Sequence, residues 1–487
     1  MPPDETSPLR AQPPPYAAIA VQPPLDDARK DHTSTATELR ELLELACPVM
    51  LTTALEFLPG VTSTIQAGQL HSPLTKEYVD AATLSTMFST ITGYSIGFGL
   101  ASALDTLCSQ AFGARRLDKI GIYFQSGLLV IGVCSIPIAF VNWYASAFLV
   151  LLHQDPRIAE LAQVYSRYNL LGMPFVFLYE LQRKALQAQG IMTPLVGIAA
   201  LGNLVQIVAG YILAYHTAWG FAGVALGRSL GNISLVCFLW VYFRIRPDHL
   251  HQWWNGWHLR DAVRHVSLFL QLGLPGMLMS AMEWWAFEIM SLMAGWLPDP
   301  VVAMSVQSVQ INVTSLFYMC FVGFSVAANI RVGNHLGAGL PMRARAVMLL
   351  TTQVVAVMGL CFGGVILTCR SWIAGLFVND PVTIASASGL LAMWAPMECI
   401  EGLNCLMQGI FRGVGCQDVA ARINMVTFYV VGIPLAYLVG FRAHWGVEGL
   451  WLGFGIAVSL SAATLSITSS RWNWRALSND AKRRTAE

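Results

Sequence analysis

The chain has 487 residues, of which 55% are hydrophobic and only 12% charged, and its formal net charge is +1. Soluble domains carry roughly 25% charged residues, so a soluble enzyme is excluded, and so is a nucleic-acid binder that works through a basic surface. A mean hydropathy of +0.54 indicates a polytopic membrane protein, and no GxxxxGK[ST] run supplies the P-loop of an ATP-driven pump.

Residues 1–40 read as a disordered N-terminal tail. Eight of the first 24 residues are proline, and no apolar core follows a basic start, so this is not a signal peptide. Pro13-Pro14-Pro15-Tyr16 fits the PPxY pattern that WW domains bind as polyproline II, which makes a WW-domain protein a candidate partner. Beyond the tail, apolar segments of about 20 residues, each enough to cross ~30 Å of hydrocarbon as helix, follow one another. Twelve are expected, near 42–66, 81–104, 120–142, 162–180, 194–214, 220–243, 267–294, 301–329, 346–368, 385–409, 420–440 and 446–467. The fourth and tenth are the least clean. The expected fold is an all-α polytopic membrane protein with the lipid bilayer as its solvent, and nothing suggests more than a monomer.

Of the 29 basic residues, only Lys76, Arg157 and Arg442 fall in odd-numbered loops, while Arg167, Arg228 and Arg370 fall in outer parts of spans. The rest lie in the tails and even-numbered loops, so both termini are expected in the cytosol, at a plasma or vacuolar membrane. The halves also repeat. Leu45-Ala46-Cys47-Pro48 returns as Leu272-Gly273-Leu274-Pro275, Gly97-Phe98 as Gly323-Phe324, and Gly220, Gly223 and Gly227 as Gly446, Gly449 and Gly453. One near-constant offset for three motifs predicts two six-helix lobes, 41–243 and 267–468, related by a pseudo-twofold along the membrane normal. A cytosolic linker at 244–266 joins them, and 469–487 forms a C-terminal tail.

The ten cysteines form no C-x-x-C pair, and all ten histidines lie in loops or tails, so neither a metal centre nor an intramembrane enzyme is expected. Carboxylates are the informative groups. An ionised Asp or Glu at mid-bilayer costs from about 2.5 kcal/mol upward, which invites a functional reading wherever one occurs. Glu56, Glu283, Glu288, Glu398 and Glu401 lie inside spans. Glu56 and Glu283 each stand eight residues after their lobe's equivalent proline. Glu398 and Glu401 share a helix face, whereas Glu283 and Glu288 point about 140° apart. Glu283, Glu288 and Glu401 are the candidates for proton coupling and substrate binding. Glu56 and Glu398 are possible further contacts, with Trp284 and Trp285 offering rings to an organic cation. At the membrane edge, Asp105 and Arg331 are equivalent by the repeat and opposite in charge, which suggests a latch on the cytosolic gate.

Ala103-Leu104-Asp105-Thr106-Leu107-Cys108-Ser109-Gln110-Ala111-Phe112-Gly113-Ala114 and Leu278-Met279-Ser280-Ala281-Met282-Glu283-Trp284-Trp285-Ala286-Phe287-Glu288 resemble the eukaryotic multidrug and toxic compound extrusion (MATE) family. Arg331-Val332-Gly333-Asn334-His335-Leu336-Gly337-Ala338-Gly339 and Arg412-Gly413-Val414-Gly415-Cys416-Gln417 look like its second-lobe signatures. The resemblance covers about residues 40–468. It implies antiport of organic cations or amphipathic metabolites against protons by rocking of two lobes, without a cofactor, sodium being the alternative coupling ion. It implies that Glu283 is the proton-coupling carboxylate of the seventh span, that Glu288 supports it, and that Glu401 is the acidic residue of the tenth. The chain departs from the family at Asn312, where animal members carry a glutamate, and at Ser63, where bacterial members place an aspartate. A lipid-linked-sugar flippase is the alternative function, disfavoured by twelve spans and a cleft of carboxylates.

Overall fold

The computed structural model describes residues 35–70 and 72–486, and the PPxY motif lies outside them. All of the regular structure among the described residues is helical. In the first half, α1 (Thr35–Gly68) is followed by a second pass built from α2 (Thr75–Ser89), a π-helical turn (Thr90–Tyr94), α3 (Ser95–Ala101) and α4 (Ala103–Gly113). Then come α5 (Leu117–Trp143), the short α6 (Ala145–Leu151), a broken pass of α7 (Pro156–Asn169) and α8 (Met173–Ala188), α9 (Thr193–Tyr215) and α10 (Phe221–Ile245). The connector carries α11 (Asp248–His251). The second half runs α12 (Leu259–Ala294), α13 (Pro300–Gly337), α14 (Pro341–Phe377), and a broken pass of α15 (Pro381–Trp394) and α16 (Met397–Val414). An eleventh pass follows, in which α17 (Gln417–Asn424) and α18 (Ile433–Tyr437) alternate with π-helical stretches at Met425–Gly432 and Leu438–Arg442. It leads into α19 (Gly446–Ser470) and a terminal α20 (Trp474–Ala486).

Nine passes among the described residues are continuous helices long and apolar enough to cross a bilayer. The other three, the second, fourth and tenth, are broken, and the breaks explain why the fourth and tenth read poorly in sequence. In the fourth, Gly172 shares its backbone N–H between the Asn169 carbonyl and Ser229 Oγ, each at 3.2 Å, instead of reaching the carbonyl four residues back. In the tenth, Pro396 has no N–H to give and separates α15 from α16. Asp155 starts α7 in the expected way, its carboxylate accepting from the N–H groups of Arg157 and Ile158 at 2.8 and 3.3 Å. Helices that are apolar all round bury one side and leave the other bare. On α5, Tyr123, Phe124, Val130 and Ile131 are buried, while Val133, Ile136 and Phe140 are 60–70% exposed, as lipid-facing side chains are.

Twelve passes place both chain ends on one side, called here the terminal face. The lobes meet there through backbones packed without intervening side chains. A methyl group on Gly113 would overlap the Asn334 carbonyl and lie 2.7 Å from its carbon, and one on Gly337 would overlap the Gln110 carbonyl and lie 2.8 Å from its carbon. The contact is reciprocal: each helix seats its glycine on the carbonyl of the residue three before the other's glycine, as a local twofold does. Gly99 against the Met277 backbone extends the contact inward, and no glycine beyond that level closely approaches the other lobe. Hydrogen bonds between lobes follow the same rule. Thr106 Oγ1 donates to the Arg412 carbonyl at 2.5 Å, Gln110 Nε2 to the Gly413 carbonyl at 3.0 Å, and Gln417 Nε2 to Thr106 Oγ1 at 2.8 Å. The molecule is closed at the terminal face and divides toward the far face.

Three segments differ from their expected form. The helix of α1 begins at Thr35, inside the residues assigned to the tail, and α12 begins at Leu259, inside the expected linker. The C-terminal segment is a helix rather than a loose tail. Arg484 of α20 donates to the carbonyls of Val414 at 3.1 Å and Gly415 at 3.4 Å, and Tyr123 of the first lobe donates its hydroxyl to the Arg484 carbonyl at 3.1 Å. Its short polar sequence conceals this role, because the partners are main-chain groups that no pattern in the segment announces.

Candidate substrate and proton site

Inside the second lobe, α12 and the broken tenth pass bring the predicted carboxylates together. Glu283 is 5% exposed and accepts a hydrogen bond from Gln408 Nε2 of α16 at 3.0 Å. It stands about 9 Å along α12 from Met277, where the lobes part. Glu401, also buried, accepts from the Trp394 indole N–H at 3.3 Å. One turn away, Glu398 is 0% exposed, and neither carboxylate oxygen has a hydrogen-bond partner among the described residues. Glu401 lies within electrostatic range of both Glu398 and Glu283, and Tyr318 and Cys405 also sit close to Glu283. No salt bridge neutralises any of these carboxylates among the described residues. A site of this kind holds acidic oxygens in a poorly solvated interior without a salt-bridged cation, Arg412 acting on Glu283 only at longer range. It is suited to exchanging a proton or a cationic ligand, since either removes the charge.

The other predicted residues are placed differently. Glu288 is half-buried on α12 with no hydrogen bond to the cluster. Trp284 is 36% exposed, while the Trp285 indole N–H is buried without a partner. Asn312 does not join the carboxylates: its side-chain amide donates to the Ser308 carbonyl one turn away at 2.8 Å, on an exposed face. Glu56 is not a free carboxylate. Both of its oxygens accept from Arg183 Nη1, at 2.7 and 2.8 Å, and a chain of alternating charges continues from there. Arg183 pairs with Glu180 at 2.5 Å, Lys184 lies between Glu180 at 3.7 Å and Asp105 at 2.8 Å, and Asp105 reaches Arg412 of the other lobe at 4.0 Å.

The expected pair of Asp105 and Arg331 does not form. Each finds nearer partners of opposite charge. Arg331 meets Glu38 at 2.6 Å and Glu41 at 2.5 Å on α1, and Asp105 meets Lys184 and Arg412. Both contacts still join one lobe to the other, so the charges close the terminal face with exchanged partners. Sequence reasoning missed Gln408, Trp394 and Arg183. The signal of Gln408 and Trp394 was only a polar or aromatic residue within a span, common enough there to pass unnoticed, and Arg183 read as a loop residue just past the fourth span.

The MatE family model matches residues 48–212 and again 275–438, once in each lobe. The chain belongs to the MATE family. It is 36% identical over 444 residues to multidrug and toxin extrusion protein 1 of Mus musculus, spanning 90% of this chain and 76% of that protein. It is 33% identical over 460 residues to protein DETOXIFICATION 17 of Arabidopsis thaliana, covering 93% of this chain and 94% of the plant protein. The crystal structure of the eukaryotic MATE transporter AtDTX14 superposes with a TM-score of 0.86 at 25% identity, over 93% of this chain and 99% of the other. The protein is therefore a MATE exporter, an integral multi-pass carrier of small molecules rather than an enzyme. The twelve helices in two lobes form the MATE fold, and the carboxylate cluster belongs to the second lobe of that fold.

Proposed function

We propose that this MATE transporter exports organic cations in exchange for protons, with the terminal face in the cytosol. The observation that carries the reading is Glu283. It is a buried carboxylate held by a single neutral donor, Gln408, beside two more acidic side chains and with no salt-bridging cation among the described residues. A bound organic cation neutralises this group, and so does a proton. The two therefore compete for one site, which is the requirement for exchange. The names of the relatives, multidrug and toxin extrusion proteins, agree with a broad range of small-molecule substrates.

In the closed-terminal state the site opens toward the far face. A proton arriving from that side converts Glu283 to its neutral form, and the cation loses its counter-charge and leaves. Rocking then breaks the terminal contacts, Arg331 from Glu38 and Glu41 and Asp105 from Arg412. The carboxyl loses its proton to the cytosol and takes the next cation. Positive-inside placement of the basic residues supports this orientation. Reconstituted vesicles test the reading: uptake of a fluorescent organic cation into an acidic interior is expected to stop in Glu283→Gln and when the proton gradient is dissipated. Full uptake by Glu283→Gln, or loss of uptake only on collapse of a sodium gradient, overturns it.

A further inference from the structure

The two lobes place their interior charges differently. In the second lobe the carboxylates just described have no salt bridge among the described residues. In the first, Glu56, Glu180 and Asp105 share one connected network with Arg183 and Lys184, and Arg228 of α10 stands outside that network. Its guanidinium donates to Thr86 Oγ1 of α2 at 3.2 Å, lies 5.9 Å from the centre of the Tyr94 ring, and has the Tyr165 hydroxyl of α7 beside it. No carboxylate is paired with it among the described residues. A guanidinium has five N–H donors, and uncharged hydroxyls leave its charge uncompensated.

Two further observations indicate that this charge awaits a ligand. The Tyr165 hydroxyl next to it belongs to a fully buried residue and, apart from its contact with Arg228, donates its proton to no group among the described residues, so a donor is available at the same spot. The fold itself does not need a cation here. Arg228 follows Gly227, and the equivalent residue after Gly453 in the second lobe is Phe454, packed between Phe287, Trp451 and Trp394. The same architecture is thus completed by a ring in one lobe and an arginine in the other. Arg228 is only half-buried, and it sits about 10 Å along α10 from Phe221, at the end where the lobes diverge.

We propose that Arg228, with the Tyr165 hydroxyl, binds an oxyanion carried by the substrate, so that the preferred substrates are zwitterions. Their cationic centre goes to the Glu283 cluster and their carboxylate to the first lobe. This rests on the reading of Glu283 given above, and the two are tested separately by one matched pair of dyes in proteoliposomes. Rhodamine 123 is a methyl ester bearing only a cation, and rhodamine 110 is the same ring system with a free carboxylate. Wild-type protein is expected to take up rhodamine 110 with a KM lower by about tenfold or more, the worth of a charge-assisted bond. Arg228→Gln is expected to raise the KM of rhodamine 110 to that of the ester while leaving ester uptake unchanged, and Arg228→Lys to keep part of the preference. Replacing chloride by gluconate is expected to leave the preference intact. Equal KM values in the wild type overturn the proposal, as does an Arg228→Gln protein that is monodisperse but slow with both dyes. Ester uptake that requires chloride, with no gain from the carboxylate, overturns it in favour of a free anion. Should Arg228→Gln fail to fold, the wild-type comparison and Arg228→Lys decide. Absence of any uptake of the ester cation counts against the exporter reading instead.

Discussion

Replacing Gly113 by alanine is expected to force the terminal face open. The added methyl would sit 2.7 and 2.8 Å from the carbonyl carbon and Cα of Asn334, where carbon atoms normally stay about 3.5–4.0 Å apart. The obstacle is helix backbone, so relief requires α4 and α13 to separate by about 1 Å, and the hydrogen bonds from Thr106 and Gln110 lengthen with them. Overpacking of this kind costs about 1–3 kcal/mol, a shift of about 5- to 150-fold in the ratio of closed to open terminal face. The gain in helix propensity from Gly to Ala, up to about 1 kcal/mol, acts in both conformations and cancels. Spin labels at exposed Arg116 and Arg422, in a background without the ten native cysteines, report the separation of the lobes by pulsed dipolar spectroscopy. Gly113→Ala should enlarge the long-distance population, and Gly337→Ala should do the same because its contact with Gln110 is the reciprocal one. The double variant should shift less than the sum, since one separation relieves both overlaps. An unchanged distance distribution in either single variant would show that the closure does not depend on this backbone contact.

Neutralising Glu38 and Glu41 together as glutamines leaves Arg331 half-buried without a counter-charge. It is expected to weaken the closed state by about 1–2 kcal/mol, seen in the same distance measurement, with no loss of fold by size exclusion. Deleting residues 474–486 removes the bonds from Arg484 to Val414 and Gly415, and is expected to speed hydrogen exchange of the chain around Gly113–Arg116 and Arg412–Cys416. Glu398→Leu replaces a buried carboxyl without hydrogen-bond partners, and is expected to stabilise the detergent-solubilised protein by about 1–3 kcal/mol in thermal unfolding while reducing transport.

The passes were legible because a bilayer demands length and apolarity, and the chain states both openly. The interruptions were not. Gly172 and Pro396 are ordinary residues for a membrane helix, and only the partner of Gly172, the Ser229 hydroxyl 57 residues away, reveals that the helix stops. Glu283 and Glu401 stood out because ionised groups are rare at that depth. The same reasoning could not see that Glu56 is paired, since its neutralising partner Arg183 lies 127 residues further along the chain and α8 brings the two together. The repeat suggested the equivalence of Asp105 and Arg331, but not the partners that the folded chain brings nearer, Lys184 and Arg412 for one and Glu38 and Glu41 for the other. Arg228 was assigned to the outer part of a span, and only the packing of Thr86, Tyr94 and Tyr165 around it shows that hydroxyls rather than an acid face it.

The reciprocal seating of α4 and α13 has a consequence for how the chain tolerates change. Each lobe presents both the glycine that enters and the carbonyl that receives, so the surface is complementary to itself, as in a symmetric dimer. The connector between the lobes makes that dimer independent of concentration, because the second copy is always at hand. A mutation in one half is therefore met by a partner that did not change with it. The two halves are free to diverge in their interiors, where one keeps acids and the other an arginine, but along this seam they must vary together.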